Sequence, residues 1–338
     1  MPAEGEPALY VRKTVERARE ESPLAHVEPL ASLRDLAGTL AAIGLEGGRL
    51  GLELDVLPAS LYLQYAWRLP GFELADCSAV LRRVRSVKSA WELQQIRRAA
   101  AMLAHLPEWA ERHAREGMTE LELAAELERE LRRAGHQGPI RFRAFNNELF
   151  YGSVLAGPSA AVPGSTETPI VGPGVNIAVS KGASRRPIGR GEPIIVDLAG
   201  AWEGYLADQT RTFSLGPVAG GWRELHDAAV DILHGVAAEA RPGVAPAALW
   251  ERASELAGGR PGFMGGVAFV GHGFGLEIDE LPVLAPGFDQ PLAEGMVFAL
   301  EPKFVLPGEG AVGIENSYAV TADGVERLTS PPEELIEL

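Results

Sequence analysis

Residues 193–213 read PIIVDLAGAWEGYLADQTRTF, in which two apolar, strand-like runs flank a short glycine-containing segment. This pattern predicts a β-hairpin. With the turn centred between Trp202 and Glu203, Asp197 and Asp208 lie directly opposite each other, with Cβ atoms roughly 4.5–5.5 Å apart. Two buried carboxylates at that distance repel each other, and a bound divalent cation removes the repulsion. The alternative is a solvated hairpin end that carries two unrelated acids.

Three later segments each carry one candidate ligand. His272 stands between glycines in GHGFG, Glu301 ends the apolar run VFALEP, and Glu315 follows the apolar run AVGIEN. A lone histidine is often structural, but a buried glutamate is rare unless it is paired or bound to a metal. Four carboxylates and one imidazole suit manganese, iron, cobalt or zinc, and four anionic ligands balance two dications. The sequence therefore predicts a binuclear metal site formed by Asp197, Asp208, His272, Glu301 and Glu315.

Composition excludes several classes of function. The chain has 338 residues, 46% of them hydrophobic, and a formal net charge of -15. An acidic surface repels nucleic acid and anionic membranes, so neither is an expected partner. The single cysteine, Cys77, excludes a disulfide within the chain and a cysteine-based zinc site. No secretory signal or apolar run of membrane-spanning length is present in the sequence, so we expect a cytoplasmic protein.

The chain is organised as a small N-terminal part followed by two similar halves. Residues 1–84 predict a small α/β domain, and residues 85–338 a larger catalytic domain. Two helical pairs, at 91–134 and 222–257, are each followed by strand-like segments. The turns REGMT and RPGVA inside the two pairs correspond at an offset of 126 residues. This self-similarity indicates a duplicated helix–helix–strand unit with a site in the cleft between the copies.

The ordered motifs resemble those of the creatinase/prolidase/aminopeptidase P/methionine aminopeptidase superfamily, over residues 85–335. The motifs are two aspartates 11 positions apart, GHGxG, Glu-Pro and Gly-Ile-Glu. The resemblance is strongest to the prolidase and aminopeptidase P branch, of whose N-terminal domain residues 1–80 look like the second half. It implies an α+β pita-bread fold with pseudo-twofold repeated halves and a homodimer. It also implies that all five candidate ligands bind metal.

Positions that handle substrate in this family carry other residues here. Histidines of the family peptidases correspond to Ser180, Ala268 and Asp279, and an arginine corresponds to Gly313. Lys181, next to Ser180, is a candidate to supply the missing positive charge. The sequence thus predicts an intact metal-binding set with an altered substrate site.

Candidate substrate-binding residues are therefore Ser180, Lys181, Asp279, Tyr205 and Arg211, the last of which is also a candidate partner for a ligand carboxylate. Glu301 and His272 are the predicted catalytic residues.

The expected activity is hydrolysis of a small amide or an Xaa-Pro peptide bond by a hydroxide that bridges two divalent ions (manganese, cobalt, zinc or iron). Glu301 would move a proton to the leaving nitrogen. The alternatives are an enzyme of the same fold that acts on a non-peptide substrate, such as a creatinase-like hydrolase or a lyase, and an inactive binding module.

Overall fold

The computed structural model describes residues 1–2, 4–143, 149–164 and 168–338. The chain divides into two units, Met1–Leu81 and Arg82–Leu338. No helix among the described residues is both long and apolar enough to cross a membrane.

The N-terminal unit alternates short strands and helices. Its strands form two separate parallel pairs, β1 with β2 and β3 with β4. The elements are β1 (Ala8–Val11), α1 (Val15–Glu21), β2 (His26–Pro29), α2 (Leu36–Ala42), β3 (Gly48–Leu52), α3 (Ala59–Arg68) and β4 (Phe72–Asp76). The next helix, α4 (Ser78–Ser86), spans the division between the units.

The first half of the larger unit packs three helices on a four-stranded sheet in the order β15-β7-β6-β5. Its elements are α5 (Ala90–Met102), α6 (Leu106–His113), α7 (Glu120–Arg133), β5 (Gly152–Ala156), β6 (Ile194–Trp202) and β7 (Tyr205–Ser214), joined by the C-terminal strand β15 (Ile336–Glu337). Helix α7 begins with the capping box predicted by the sequence, in which Thr119 and Glu122 each bond the other's backbone amide.

The second half repeats this arrangement with two helices and a five-stranded sheet in the order β14-β13-β10-β8-β9. Its elements are α8 (Trp222–Ala237), α9 (Pro246–Ala257), β8 (Gly271–Gly273), β9 (Glu280–Val283), β10 (Val297–Leu300), β13 (Asn316–Val320) and β14 (Val325–Arg327). A separate antiparallel pair, β11 (Lys303–Leu306) with β12 (Gly310–Gly313), lies between β10 and β13 in the chain.

Each half has its own apolar core between helices and sheet. In the first, Leu123, Leu127 and Leu131 form one face of α7, at the spacing of an amphipathic helix, and are buried with residues of β5 and β6. In the second, helices α8 and α9 are buried with residues of β10 and β13. Burial of this kind stabilises a domain by about 1.5–3 kcal/mol for each large apolar side chain.

The hairpin of β6 and β7 has a different register from the predicted one. Asp197 pairs with Thr210 and Asp208 with Ala199, so the two aspartates are diagonal neighbours rather than direct partners. The shift arises because the turn residues are Glu203 and Gly204, both with positive φ (48° and 84°), as a two-residue turn of type I′ requires. The observed pairing is displaced from the predicted one by an even number of residues. Because side chains alternate between the two faces of a strand, the side chains of Asp197 and Asp208 still lie on the same face.

Candidate metal centre

The ring of His272 faces three carboxylates that come from distant parts of the chain. Its Nε2 atom lies 3.6 Å from Glu301 Oε1, 3.8 Å from Glu315 Oε1 and 3.9 Å from Asp208 Oδ2. Asp208, His272 and Glu315 each offer a ligand atom, and these atoms all lie within 4.8 Å of one another. All four residues are buried, so their charges are weakly screened by water.

Contacts between the two sheets bring these residues together. Strand β7 carries Asp208, and β13 begins directly after Glu315. The Thr210 backbone pairs with that of Glu315, and the Ser317 hydroxyl donates to the Asp208 carbonyl while accepting from its amide. His272 is in the middle of β8, opposite Ala299 of β10, and Glu301 directly follows β10. The site is therefore fixed by strand pairing rather than by loops.

One carboxylate oxygen of this group has no hydrogen-bond partner among the described residues. Glu315 Oε1 is buried and accepts no hydrogen bond, although Glu315 Oε2 accepts from the Thr210 hydroxyl at 2.7 Å. Burial, together with the charges of Glu315 and Asp197, raises the pKa of Asp208 well above its usual range. An unpaired buried oxygen beside an imidazole and another carboxylate is a donor set that fits one divalent ion.

A lysine that sequence reasoning missed lies on the other side of the same carboxylates. The Lys303 Nζ atom is 2.5 Å from Glu301 Oε2, 3.0 Å from Glu315 Oε2 and 3.4 Å from Asp197 Oδ2. Its side chain is fully buried. Burial alone would lower the pKa of Lys303, but the charges of Glu301, Glu315 and Asp197 outweigh it and hold that pKa well above its usual range. The signal in the sequence was a charged residue at the start of the apolar run KFVL.

The structure thus divides the five predicted ligands into two groups. Asp208 and His272 face each other, Asp197 faces Lys303, and both glutamates belong to both groups. Burial raises the pKa of Asp197 above its usual range. The charge of Lys303 lowers this pKa and the charge of Glu315 raises it, both by smaller amounts. Asp197 is the most exposed of the five, with 20% of its side chain accessible.

The other ring nitrogen of His272 is held by the backbone and by Asp279. Nδ1 lies 3.2 Å from the Gly273 carbonyl oxygen and 3.3 Å from Asp279 Oδ1. A proton on Nδ1 satisfies both oxygens, and when a metal ion displaces the proton of Nε2 the lone pair of that atom would face the carboxylate group. In this structure burial would lower the pKa of His272, but Asp279 and the other nearby carboxylates raise it to about 10. Asp279 therefore positions the imidazole.

Among the described residues, the Arg211 guanidinium forms no hydrogen bond or ion pair with a ligand carboxylate, so the prediction of such a pair is wrong, while substrate binding by Arg211 stays a prediction. It is fully buried, and its guanidinium donates to the backbone carbonyl oxygens of Thr210, Glu315, Pro331 and Pro332 and to the Asn316 side chain. The position of Arg211 on β7, three residues from Asp208, suggested the wrong partner because the sequence does not show the C-terminal segment that returns to this strand. Its role is to fix the backbone at Glu315.

The remaining substrate-site candidates stay predictions, and their surroundings differ. The Tyr205 hydroxyl donates to Glu92 at 3.0 Å, and burial raises the pKa of Tyr205 to about 12. Ser180 is exposed and Lys181 half-buried, and within the described part of the chain neither forms a hydrogen bond or ion pair with the candidate ligands. Ala268 is exposed, and Gly313 is buried on β12.

Comparison with known proteins identifies relatives over nearly the whole chain. The sequence model of metallopeptidase family M24 matches residues 94–322, and that of the creatinase/prolidase N-terminal domain matches residues 1–87. The Xaa-Pro dipeptidase of Pyrococcus furiosus is 26% identical over 98% of this chain and 86% of its own length. The Xaa-Pro dipeptidase of Pyrococcus horikoshii is 28% identical over 97% of this chain and 85% of its own.

Solved structures agree with this assignment. The Xaa-Pro dipeptidase of Bacillus anthracis superposes with a TM-score of 0.82 at 25% identity, covering 98% of this chain and 86% of that one. The predicted α+β pita-bread fold and the resemblance to the creatinase and prolidase superfamily are confirmed. Because the M24 model covers more than half of its residues, the chain belongs to metallopeptidase family M24.

Proposed function

We propose that this chain hydrolyses the Xaa-Pro bond of short peptides in a reaction that requires a divalent metal ion at Asp208, His272 and Glu315. The observation that carries the proposal is the convergence of their ligand atoms within 4.8 Å, with one Glu315 oxygen left unpaired. The names of the relatives support the substrate class, since two of them are Xaa-Pro dipeptidases.

A bound ion would supply Lewis acidity, which polarises a carbonyl group and makes water a stronger acid. Glu301 is the proposed general base. Its Oε2 atom is held by Lys303 at 2.5 Å, while Oε1 faces His272. A carboxylate held in this way can take a proton from the attacking water and deliver it to the leaving nitrogen. Asp279 keeps the His272 ring oriented throughout.

The proposed ion is manganese, with cobalt, zinc and iron as alternatives, because mixed carboxylate and imidazole donors suit ions of this group. The homodimer is proposed from the resemblance, and the cytoplasmic location from composition.

The test measures release of free proline from Xaa-Pro dipeptides by the purified full-length chain. We expect activity with manganese that is lost in a chelator and restored by added metal. Asp208→Asn and His272→Ala should each lower turnover by more than about 100-fold, because residues that merely support a metal ligand already cost 10–100-fold. His105→Ala, which changes an exposed histidine, is the matched control and should retain activity.

Unchanged turnover in both ligand variants would show that the assigned residues do not carry the reaction. A second candidate, hydrolysis of a non-peptide amide, is favoured by Ser180, Ala268 and Gly313, which lack the imidazole and guanidinium groups expected from the resemblance. Creatine and simple amides belong in the same screen. Metal-dependent turnover of one of these, with no proline released from any dipeptide, would replace the proposed substrate class.

A further inference from the structure

We infer that the Lys303 ammonium takes the place of a second divalent ion, so that the carboxylate group of this chain binds a single ion. The inference deepens the metal-dependent function proposed above and rests on it. The expectation of two ions came from counting four carboxylates and one imidazole, without a cation already present among them. Lys303 is such a cation, and it contacts three of the four carboxylates.

The two glutamates divide their oxygens between the two positive groups. Glu301 directs Oε2 to Lys303, at 2.5 Å, and Oε1 to His272, at 3.6 Å. Glu315 does the same, with Oε2 3.0 Å from Lys303 and Oε1 3.8 Å from His272. The cluster therefore has an ammonium side, which includes Asp197, and an imidazole side, which includes Asp208.

The two glutamate oxygens on the ammonium side already have hydrogen-bond partners, and Asp197 Oδ2 lies 3.4 Å from the Lys303 ammonium. Glu315 Oε2 accepts from both Lys303 and the Thr210 hydroxyl, and Glu301 Oε2 accepts from Lys303. On the imidazole side, by contrast, Glu315 Oε1 is buried without a hydrogen-bond partner in the described residues. Of the four glutamate oxygens, the buried one that a cation would satisfy is therefore Glu315 Oε1, on the imidazole side. A second dication on the ammonium side would have to displace Lys303 and would be repelled by its charge.

The residue opposite Lys303 is a glycine, which leaves space for the lysine side chain. Lys303 of β11 pairs directly with Gly313 of β12. A Cβ atom at position 313 would lie 2.6 Å from Lys303 Cγ and 2.7 Å from the Pro302 carbonyl oxygen. The absence of a side chain at Gly313 therefore leaves the space that the lysine stem fills. The arginine that the family resemblance predicts at 313 and the buried Lys303 are thus alternatives in space.

The test counts metal ions rather than turnover. Metal is first removed from the full-length chain with a chelator, and the protein is then dialysed against manganese and freed of excess metal. The number of manganese ions per chain is measured by inductively coupled plasma mass spectrometry. We expect one equivalent in the wild type. We expect two in Lys303→Ala, which removes the ammonium and clears its volume. Lys88→Ala is the matched control, because Lys88 is also buried and paired with a glutamate, Glu280, and it should remain at one.

Each result separates the inference from the proposed function. Two equivalents in the wild type would overturn the inference and leave the metal-dependent function standing. One equivalent in both the wild type and Lys303→Ala would show that Lys303 does not set the number. No binding of manganese, cobalt or zinc by the wild type would contradict both. If Lys303→Ala does not fold, Lys303→Ser, which also removes the ammonium and leaves a hydroxyl that can bond the neighbouring carboxylates, gives the same comparison with the wild type.

Discussion

His272 lies between two sets of acidic groups that act on its two nitrogens. On one side Nδ1 faces Asp279, whose side chain is 45% exposed, and on the other Nε2 faces the buried carboxylates. An imidazole needs a proton on one nitrogen and a free lone pair on the other to bind a metal, and the partner of the first nitrogen decides which form is present. The contact with Nδ1 gives Asp279 a role in positioning the ring, and its predicted contact with substrate stays a prediction.

Asp279→Ala should weaken manganese binding by about 10–100-fold, the usual effect of removing the partner of a metal-binding histidine. Asp279→Asn should lose less, because its amide oxygen can still accept the Nδ1 proton although it carries no charge. The measurement is a manganese titration by calorimetry on the metal-free chain. Asp289→Ala removes an exposed acid and serves as the control. Equal losses in the alanine and asparagine variants would contradict a role in orienting the ring.

The burial of Lys303 could not be predicted from the residue type and its neighbours in the sequence. A lysine after Glu-Pro reads as the start of an exposed strand, since lysine is seldom buried. Its burial depends on the pairing of β11 with β12 and on Gly313 opposite it. Both depend on contacts between residues that are distant in the chain. The burial of Glu301 and Glu315, by contrast, could be inferred from the apolar runs that contain them.

The sequence predicted an element correctly where the stabilising interaction joins residues that are close in the chain. The capping box at Thr119 and Glu122 joins residues three positions apart, and its prediction is confirmed. The register of β6 and β7 was wrong because it depends on which two residues form the turn. Glutamate seldom takes positive φ, so the residue type at position 203 did not indicate the first position of the turn.

Helix α8 carries a histidine that should make the fold sensitive to acid. His226 is fully buried, and neither ring nitrogen has a hydrogen-bond partner within the described residues. Burial, with smaller effects of the Arg211 and Arg223 charges, lowers its pKa from 6.5 to about 4. Between these two values the unfolded chain binds a proton that the folded chain does not, so stability falls as the pH falls from 6.5 to about 4.

His226→Leu should remove this contribution, which amounts to about 3 kcal/mol for a shift of this size. The measurement is the free energy of unfolding in denaturant at a series of pH values, in a chelator so that metal binding does not contribute. His234→Gln changes an exposed histidine of the same helix and should keep the wild-type slope. A His226→Leu profile parallel to that of the wild type would mean that His226 does not titrate as its burial requires.

At the scale of the whole molecule, the site depends on two halves that each supply part of it. Asp197 and Asp208 come from the sheet of the first half, and His272, Glu301 and Glu315 from the second. The two helical pairs and their corresponding turns indicated the repeated halves, but not how the two sheets meet. The convergence of the five residues was predicted from the order of the motifs and the family resemblance. Its division into an ammonium side and an imidazole side follows from the three-dimensional contacts alone.

We propose that one divalent ion binds beside the buried Lys303 ammonium. Anomalous diffraction from a crystal of the manganese-loaded chain, collected at the manganese absorption edge, tests it most directly. We predict one anomalous peak among Asp208, His272 and Glu315, with the Lys303 ammonium still in contact with Glu301. Two peaks within the carboxylate group, or no peak beside His272, would contradict the account.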